Sequence, residues 1–216
     1  MLGIIRVLTT DDDRVLLEHG KRMWETHQIE TVTKCIEDQP NGIYDHESEM
    51  MAIPKIIALA EALMQRDEID AITISCAADP GLEELRSLTD FPILGAGACG
   101  AKAACLVGQR VAVIGITDQI PLSIKKGLED QFHSYRYDPT LRKTTDLLSP
   151  DAKEKLLAIA QDAIADGADV ILFACTGFST IKLKDYLVTQ ITIPVIDLVE
   201  AQATVYELIR RGEEIG

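Results

Sequence analysis

Two short stretches decide the fold: Asp70-Ala-Ile-Thr-Ile-Ser-Cys76 and Asp169-Val-Ile-Leu-Phe-Ala-Cys175 share the pattern Asp-x-Ile-x-x-x-Cys. Each is a β-rich, mostly apolar run, which is typical of a strand that is covered on both faces in a parallel sheet. After each copy come a helical stretch and a short strand that begins with proline, at Pro92 and Pro194. The recurrence indicates an internal repeat. We therefore predict two similar halves, each with the order β-α-β-α-β(Cys)-α-β.

The alternation of strand and helix patterns extends over the whole chain and predicts an α/β layered architecture. The predicted strands are Leu2–Leu8, Ile29–Cys35, Ala71–Cys76, Ile93–Gly95, Val111–Ile116, Phe132–Tyr137, Val170–Cys175 and Val195–Asp197. The clearest amphipathic helices are Pro54–Gln65, Leu82–Leu88, Ala152–Ala165 and Ala201–Arg210. We place the boundary near Gly97 and expect the last helix to pack on the first half. The predicted domains are residues 1–97 with 198–216, and residues 98–197.

The charge and the apolar runs limit the partners of the chain. A net charge of −14 over 216 residues repels phosphates, which argues against a nucleic acid or an anionic membrane as partner. The opening run Leu2–Leu8 lacks the cleavage pattern of a signal peptide. The longest apolar runs are shorter than the roughly 18 residues expected of a membrane span. We expect a cytoplasmic protein that acts on a small molecule.

The five cysteines are irregularly spaced and form no Cys-x-x-Cys pair. Together with the histidines they show no zinc-ligand spacing, so we expect neither a disulfide framework nor a metal site. Cys35, Cys99 and Cys105 lie outside the repeat and are predicted to be structural. Cys76 and Cys175 therefore remain as the candidates for chemistry.

The position of these two thiols suits proton transfer on both faces of a substrate. Ligands of open parallel sheets bind beyond the carboxyl ends of the strands, where Cys76 and Cys175 are predicted to lie. If the halves face each other, each contributes one thiol to a shared cleft. Inverting a stereocentre next to a carbonyl needs one base on each face, and a thiol with an ordinary pKa of about 8.5 can serve. The pattern favours a cofactor-independent racemase.

The loops after both cysteines contain groups that can stabilise an anion. Asp79 and Pro80 read as the N-cap and first residue of a helix. The segment Thr176–Ser179 offers hydroxyls and backbone N–H groups that no strand would pair. Donors of this kind stabilise a thiolate or an enolate-like oxyanion.

At these residues the chain resembles the aspartate/glutamate/hydantoin racemase superfamily, and within it the hydantoin racemases. The motifs that carry the resemblance are the two strand-terminal cysteines, Asp79-Pro80-Gly81, Cys175-Thr176-Gly177, Pro194-Val195-Ile196-Asp197 and the segment Gln39–Asp45 with Pro54 after it. The resemblance implies two pseudo-symmetric flavodoxin-like (three-layer α/β/α) subdomains with parallel four-stranded sheets and an active site in the cleft between them. It also implies that no pyridoxal phosphate or metal is used, and that the chain forms a homo-oligomer.

The resemblance further implies which residues surround the substrate, with Cys76 and Cys175 as the acid/base pair. The residues expected to bind substrate are Thr9, Thr10, Ala77, Asp79, Thr117, Thr176 and Gly177. Two segments depart from the family pattern. Thr9–Asp12 replaces an Asn-Pro-Asn-type loop, and Gly95–Gly100 replaces a version that contains Glu. Both departures leave the identity of the substrate open.

Several functions remain open at this point. A hydantoin-type substrate is favoured because ring conjugation acidifies the proton and because the predicted loops contain no cation to anchor a free acidic amino acid. Lys102 and Lys182 are the residues that could supply such a cation. The alternatives are an aspartate/glutamate-type racemase, a cysteine-dependent decarboxylase or cis–trans isomerase, and a non-catalytic small-molecule binding protein.

The remaining polar candidates have simpler interpretations. The four histidines, His19, His27, His46 and His133, lie in polar surroundings and are predicted to be on the surface. The acidic run Asp11–Asp13 is predicted to cap a helix rather than to ligate a metal.

Overall fold

The computed structural model describes residues 1–210, which form two four-stranded parallel sheets. The strands are β1 (Leu2–Arg6), β2 (Thr31–Cys35), β3 (Ala71–Ser75), β4 (Ile93–Gly95), β5 (Val111–Gly115), β6 (Phe132–Tyr137), β7 (Val170–Phe173) and β8 (Val195–Ile196). The first sheet has the order β2-β1-β3-β4, and the second repeats it as β6-β5-β7-β8. Every strand pair is parallel. The predicted fold, two α/β halves built on parallel four-stranded sheets, is confirmed.

The helices connect the strands. They are α1 (Asp13–His27), α2 (His46–Met64), α3 (Leu82–Leu88), α4 (Ala96–Val107), α5 (Leu122–Leu128), α6 (Ala152–Ala165), α7 (Gly177–Thr180), α8 (Leu183–Leu187) and α9 (Leu198–Ile209). Short 3₁₀ segments cover Glu129–Gln131 and Thr144–Leu148. The repeated cysteine runs owe their apolar character to burial, since all residues of β3 and β7 are buried.

Helices α4 and α9 fill the junction between the two sheets. Helix α4 packs against α5 and β7 of the second half and against β4 of the first. Helix α9 packs against α1 and α4, and its residues Val199 and Tyr206 join the core cluster of Leu2 and Ile4. A Cβ atom at Gly100 would lie 2.2 Å from Leu198 Cδ2, so a larger residue there would force the Leu198 side chain to move.

Two predicted helix starts are wrong. Helix α2 begins at His46 rather than at Pro54, because Asp45 and Ser48 form a reciprocal capping box at its first turn. Helix α9 begins three residues earlier than predicted, because the carboxylate of Asp197 accepts hydrogen bonds from the first-turn amides of Val199 and Glu200. In both cases the capping hydrogen bonds, rather than the spacing of apolar residues, determine where the helix begins.

Both cysteine-bearing strands also end before their thiols. Strand β3 ends at Ser75 and β7 at Phe173, so Cys76 and Cys175 lie in the loops that follow. The predicted domain boundaries stay a prediction, and their last segment, residues 211–216, lies outside the described residues. No helix between residues 1 and 210 combines the length and the apolar character needed to cross a membrane.

Candidate active site

A cleft of about 770 Å³ lies where the carboxyl ends of the two sheets meet. Residues that follow all four central strands line it: Val7 and Leu8 after β1, Cys76–Ala78 after β3, Ile116–Pro121 after β5, and Ala174–Thr176 after β7. The cleft thus brings together the two repeated cysteines, one from each half. This is the end of the sheets at which the topology of parallel strands places ligands.

The thiol of Cys175 is buried and lies just before helix α7, where the N–H of Phe178 donates to the Cys175 carbonyl oxygen at 3.2 Å. Burial raises the pKa of Cys175 to about 11, while the backbone N–H groups of Gly177 and Phe178, the side chain of Thr144 and the guanidinium of Arg6 act in the opposite direction. Its surroundings therefore favour the thiolate more than burial alone would allow.

The thiol of Cys76 is partly exposed and has a more acidic environment. Desolvation raises its pKa to about 12, and the carboxylates of Asp79 and Glu49 add to the increase. The backbone N–H of Ala78 acts in the opposite direction. The two thiols are therefore chemically inequivalent although the fold places them symmetrically.

Hydroxyl groups hold the cysteine loops in place across the cleft. Thr176 Oγ1 donates to the carbonyl of Ser75 at 3.1 Å, and Ser123 Oγ donates to the carbonyl of Ala77 at 3.0 Å. Gly97 makes the second contact possible, because a Cβ atom there would lie 2.3 Å from that same carbonyl. Residues of the second half thus fix both ends of the segment that carries Cys76.

The predicted role of Asp79 as N-cap of the next helix is wrong. Helix α3 begins at Leu82 after Gly81, and no side chain caps it. The carboxylate of Asp79 instead accepts the backbone N–H groups of Gly97 and Ala98, at 2.8 and 2.7 Å, in the first turn of α4. Burial raises the pKa of Asp79 to about 6. This residue lies behind Cys76 and outside the lining of the cleft.

The other predicted substrate-binding residues divide between two cavities. Ala77, Thr117 and Thr176 line the cleft. Thr9, Thr10 and Gly177 line a separate cavity of about 100 Å³. The hydroxyl of Thr9 is occupied there, since it donates to the carbonyl of Ile36 and accepts from the N–H of Gln39. Contact of any of these residues with substrate stays a prediction.

The sequence reasoning missed two arginines that line the cleft, Arg6 and Arg142. Arg142 Nη2 lies 3.3 Å from Asp118 Oδ2, and its guanidinium stacks over Tyr137 at 5.5 Å. The cleft therefore contains cationic side chains, although the loops predicted to bind substrate supply none. Arg142 precedes an irregular 3₁₀ segment without apolar periodicity, so no pattern in the sequence could have found it.

The two lysines named as possible anchors lie elsewhere. Lys102 pairs with Glu129 at 2.9 Å, and Lys182 with Glu18 at 3.4 Å, and neither lines the cleft. Further lining residues come from the segment before α2 and from its first turns, namely Ile43, Tyr44, Asp45, His46 and Glu49. The resemblance of Gln39–Asp45 to the corresponding family segment was the sequence feature that could have identified some of these lining residues.

The prediction that His19 is a surface residue is wrong. His19 is fully buried beneath the cysteine loops, where Nδ1 lies 2.7 Å from Ser75 Oγ and Nε2 lies 3.1 Å from Thr180 Oγ1. Burial and the charge of Arg6 hold the pKa of His19 well below its usual value. The imidazole is therefore neutral and links β3 to α7.

The acidic run near the amino terminus caps a helix, as predicted. Asp12 is the N-cap of α1, and its carboxylate accepts the N–H of Arg14 at 2.9 Å. Among residues 1–210, no three His, Cys, Asp or Glu side chains are arranged to hold a metal ion.

A comparison with known protein families agrees with this geometry. The sequence model of the Asp/Glu/Hydantoin racemase family matches residues 18–205. The chain belongs to this family. The predicted resemblance is thereby confirmed, and with it the assignment of the chain to a family of racemases. The hydantoin racemase of Pseudomonas sp. (strain NS671) is 28% identical over 205 residues, which cover 89% of this chain and 79% of that relative.

Solved structures of other proteins show the same fold. Allantoin racemase from Klebsiella pneumoniae superimposes with a TM-score of 0.80 at 22% identity, covering 96% of this chain and 86% of the other. A glutamate racemase from Bacillus anthracis superimposes with a TM-score of 0.71 at 16% identity, covering 97% and 80%. At such low identities these likenesses establish the fold of this family member and leave its substrate open.

Proposed function

We propose that this chain is a cofactor-independent racemase of hydantoin-type substrates in which Cys76 and Cys175 are the two bases. The observation that carries the proposal is that equivalent strand ends of the two halves each contribute a thiol to one cleft. A substrate held between the thiols offers one face of its stereocentre to each.

The reaction consists of two proton transfers. A thiolate on one face removes the proton from the carbon next to the carbonyl, and its electron pair delocalises into that carbonyl as an enolate. The thiol on the other face then donates its proton to the same carbon. The product is the opposite enantiomer, and thiolate and thiol have exchanged roles.

The charges in the cleft support a neutral ring more than a free acidic amino acid. Arg142 is partly neutralised by Asp118, and the carboxylate of Glu49 acts on Cys76. An additional carboxylate on the substrate would meet this negative charge close to the reacting thiol. Part of the wall is apolar, formed by Ile43, Ile120 and Leu122, which suits a hydrocarbon substituent on the ring. The hydantoin racemase named among the relatives points to the same substrate class.

An acidic amino acid is the second candidate substrate, because Arg142 and His46 both line the cleft and could bind a carboxylate. The two substrate classes are separated by polarimetry. Enantiopure 5-benzylhydantoin, 5-isopropylhydantoin, L-aspartate and L-glutamate are each incubated with the protein. A sample without protein corrects for spontaneous racemisation.

We expect rapid loss of optical rotation with the hydantoins and none with the amino acids. Loss of optical rotation with aspartate or glutamate alone would change the proposed substrate class to acidic amino acids. It would leave the proposed two-thiol mechanism unchanged. If no compound loses rotation while calorimetry detects binding, the chain is a binding protein and the proposal fails. Carbon dioxide release from a malonate substrate without any racemisation would assign it to the decarboxylases of the same superfamily.

A further inference from the structure

His19 is a buried polar residue between the two halves of the chain. It projects from α1 and is fully buried, although only three residues of that helix are buried. Burying an imidazole is costly unless its ring nitrogens are hydrogen-bonded. Both have partners here, since Nδ1 lies 2.7 Å from Ser75 Oγ and Nε2 lies 3.1 Å from Thr180 Oγ1. A neutral ring satisfies both contacts, because it offers one donor and one acceptor and a hydroxyl can match either.

The two hydroxyls belong to different halves, and each lies close in sequence to one of the two cysteines. Ser75 is the last residue of β3 and immediately precedes Cys76. Thr180 is the last residue of α7, the short helix that begins two residues after Cys175. The two hydrogen bonds thus form a link, Ser75–His19–Thr180, between the segments that carry the two thiols.

Helix α7 is well placed to pass this constraint on to Cys175. The N–H of Phe178 donates to the carbonyl of Cys175 at 3.2 Å, which attaches the helix to the cysteine. Ser179 Oγ lies 2.6 and 2.7 Å from the two carboxylate oxygens of Asp197, the buried N-cap of α9. A displacement of Thr180 would therefore move the backbone of Cys175 as well.

The other end of the link is attached to the first sheet. Arg6 is the last residue of β1 and pairs in register with Ser75. Its Nη1 donates to the carbonyls of Val15 and Leu16 at 2.6 and 3.1 Å, which attaches α1 to this sheet about one turn before His19. The imidazole is thus held on the first sheet, and its hydrogen bond to α7 is the contact that crosses to the second half.

We propose that His19 is a positioning residue that fixes Cys76 relative to Cys175, so that the second thiol protonates the intermediate as soon as the first has formed it. This role rests on the racemase function proposed above. When the link is broken, the enolate persists longer between the thiols. The thiol that removed the hydrogen can then exchange it with solvent and return a solvent hydrogen to the same face. Loss of the link should therefore lower inversion and raise exchange without inversion.

Three substitutions test the link at the imidazole. His19→Leu removes both hydrogen bonds. His19→Asn and His19→Gln each retain at most one of them, because an amide places its polar atoms at one end, whereas the two ring nitrogens are separated. Tyr206→Phe is the matched control, since it removes a 2.7 Å hydrogen bond from another buried side chain to Asp70, at the opposite end of β3.

Thr180 offers a second pair of variants at the other end of the link. Thr180→Val removes the hydroxyl and keeps the shape of the side chain, whereas Thr180→Ser keeps the hydroxyl. Thr180 lies outside the lining of the cleft, so neither change alters the wall that faces substrate. This pair decides the question even if the His19 variants do not fold.

The measurement uses one enantiomer of 5-benzylhydantoin in D₂O, or of whichever tested compound is racemised. Chiral chromatography separates the starting and the inverted enantiomer at early times, and mass spectrometry counts the deuterium in each. A sample without protein gives the spontaneous background. The ratio of deuterated starting enantiomer to inverted product does not depend on the amount of folded protein, so a loss of stability alone leaves it unchanged.

We expect this ratio to rise severalfold in His19→Leu and Thr180→Val, with kcat lower by about tenfold or more and KM unchanged. His19→Asn and His19→Gln should also raise the ratio, whereas Thr180→Ser and Tyr206→Phe should match the wild type. A ratio in His19→Leu and Thr180→Val no higher than in Tyr206→Phe would overturn the inference, because the link would then serve stability alone.

A measurement without turnover separates this inference from the proposed function. In protein labelled with ¹⁵N-histidine, the ring signals of His19 are assigned by substituting each histidine in turn. Ser75→Ala and Thr180→Val should each shift these signals, and Tyr206→Phe should not. Such shifts in a protein that racemises no substrate would retain the link and reject the proposed function. Ring signals that neither substitution shifts would overturn the link itself.

Discussion

Thr176 Oγ1 donates a hydrogen bond to the carbonyl oxygen of Ser75 at 3.1 Å. The residue after one cysteine therefore holds the residue before the other. This buried contact joins the two halves directly beneath the two thiols. The distance between the two thiols therefore depends on how the halves pack together. Proton transfer to and from a bound substrate depends in turn on that distance.

Replacing Thr176 by valine should weaken the contact between the two halves. Thr176→Val leaves the Ser75 carbonyl without its donor, and we expect the free energy of unfolding to fall by about 1–2 kcal/mol. The kcat for racemisation should fall about tenfold or more, because a small displacement of a positioned base is costly. Thr204→Val is the control, since Thr204 is exposed and bonds only within α9 and to His27. Equal kcat values for the two variants would contradict this account.

Gly97→Ala should disturb the loop of Cys76 from the other side. The added methyl would lie 2.3 Å from the Ala77 carbonyl and 2.6 Å from Ser123 Oγ, so one of these groups must move. We expect a loss of about 1–3 kcal/mol in stability, as for other overpacked sites, together with reduced kcat. Gly3→Ala is the matched control, because its methyl would meet neighbours at 3.4 Å or more. Chemical denaturation and polarimetry measure both effects, and wild-type activity in Gly97→Ala would show that this loop tolerates displacement.

The ion pair of Arg142 and Asp118 should limit the acceptance of anionic substrates. Asp118→Asn frees the charge of Arg142, so the KM of a hydantoin with a carboxylate side chain should fall about two- to fivefold relative to a neutral one. Asp185→Asn changes the net charge equally and lies in the separate ion pair with Arg22. It should leave the ratio of KM values unchanged. An unchanged ratio in Asp118→Asn would mean that Arg142 does not contact the substrate's substituent.

The pH dependence of the reaction follows from the desolvation of both thiols. The pKa of Cys175 is raised to about 11 and that of Cys76 to about 12, so both are mostly protonated at neutral pH. The reactive form has one thiolate, and its fraction grows about tenfold per pH unit below the first pKa. We expect kcat/KM to rise steadily from pH 7 to 9, after subtraction of the spontaneous rate. A flat profile in this range would mean that a thiolate already exists at neutral pH.

The sequence was sufficient for the parts of the fold that depend on local pattern. The bounds of β4, β6, α3 and α6 agree with the prediction, because apolar runs and periodicity determine them. The repeated Asp-x-Ile-x-x-x-Cys stretches pointed to the shared cleft, because parallel strands with the same order place their carboxyl ends at the same edge.

The features that the sequence did not reveal depend on contacts between distant segments. Asp79 caps α4, whose start lies in another part of the chain, rather than the adjacent helix α3. His19 was predicted to be a surface residue, but one of its two hydrogen-bond partners, Thr180, comes from the second half. Such partners cannot be identified before the halves are packed together.

The central claim, one base on each face, is tested most directly by hydrogen exchange in D₂O with separate enantiomers. Proton NMR follows the ring hydrogen of each enantiomer of 5-benzylhydantoin in Cys76→Ser and in Cys175→Ser. A remaining thiolate can remove the hydrogen from its own face and return deuterium there without inversion. We therefore predict that each variant exchanges only one enantiomer, that the two variants choose opposite enantiomers, and that neither racemises at more than about 1% of the wild-type rate. Cys105→Ser, altered outside the cleft, should racemise as the wild type does. Exchange of the same enantiomer by both variants, or full racemisation by either, would contradict the two-thiol account.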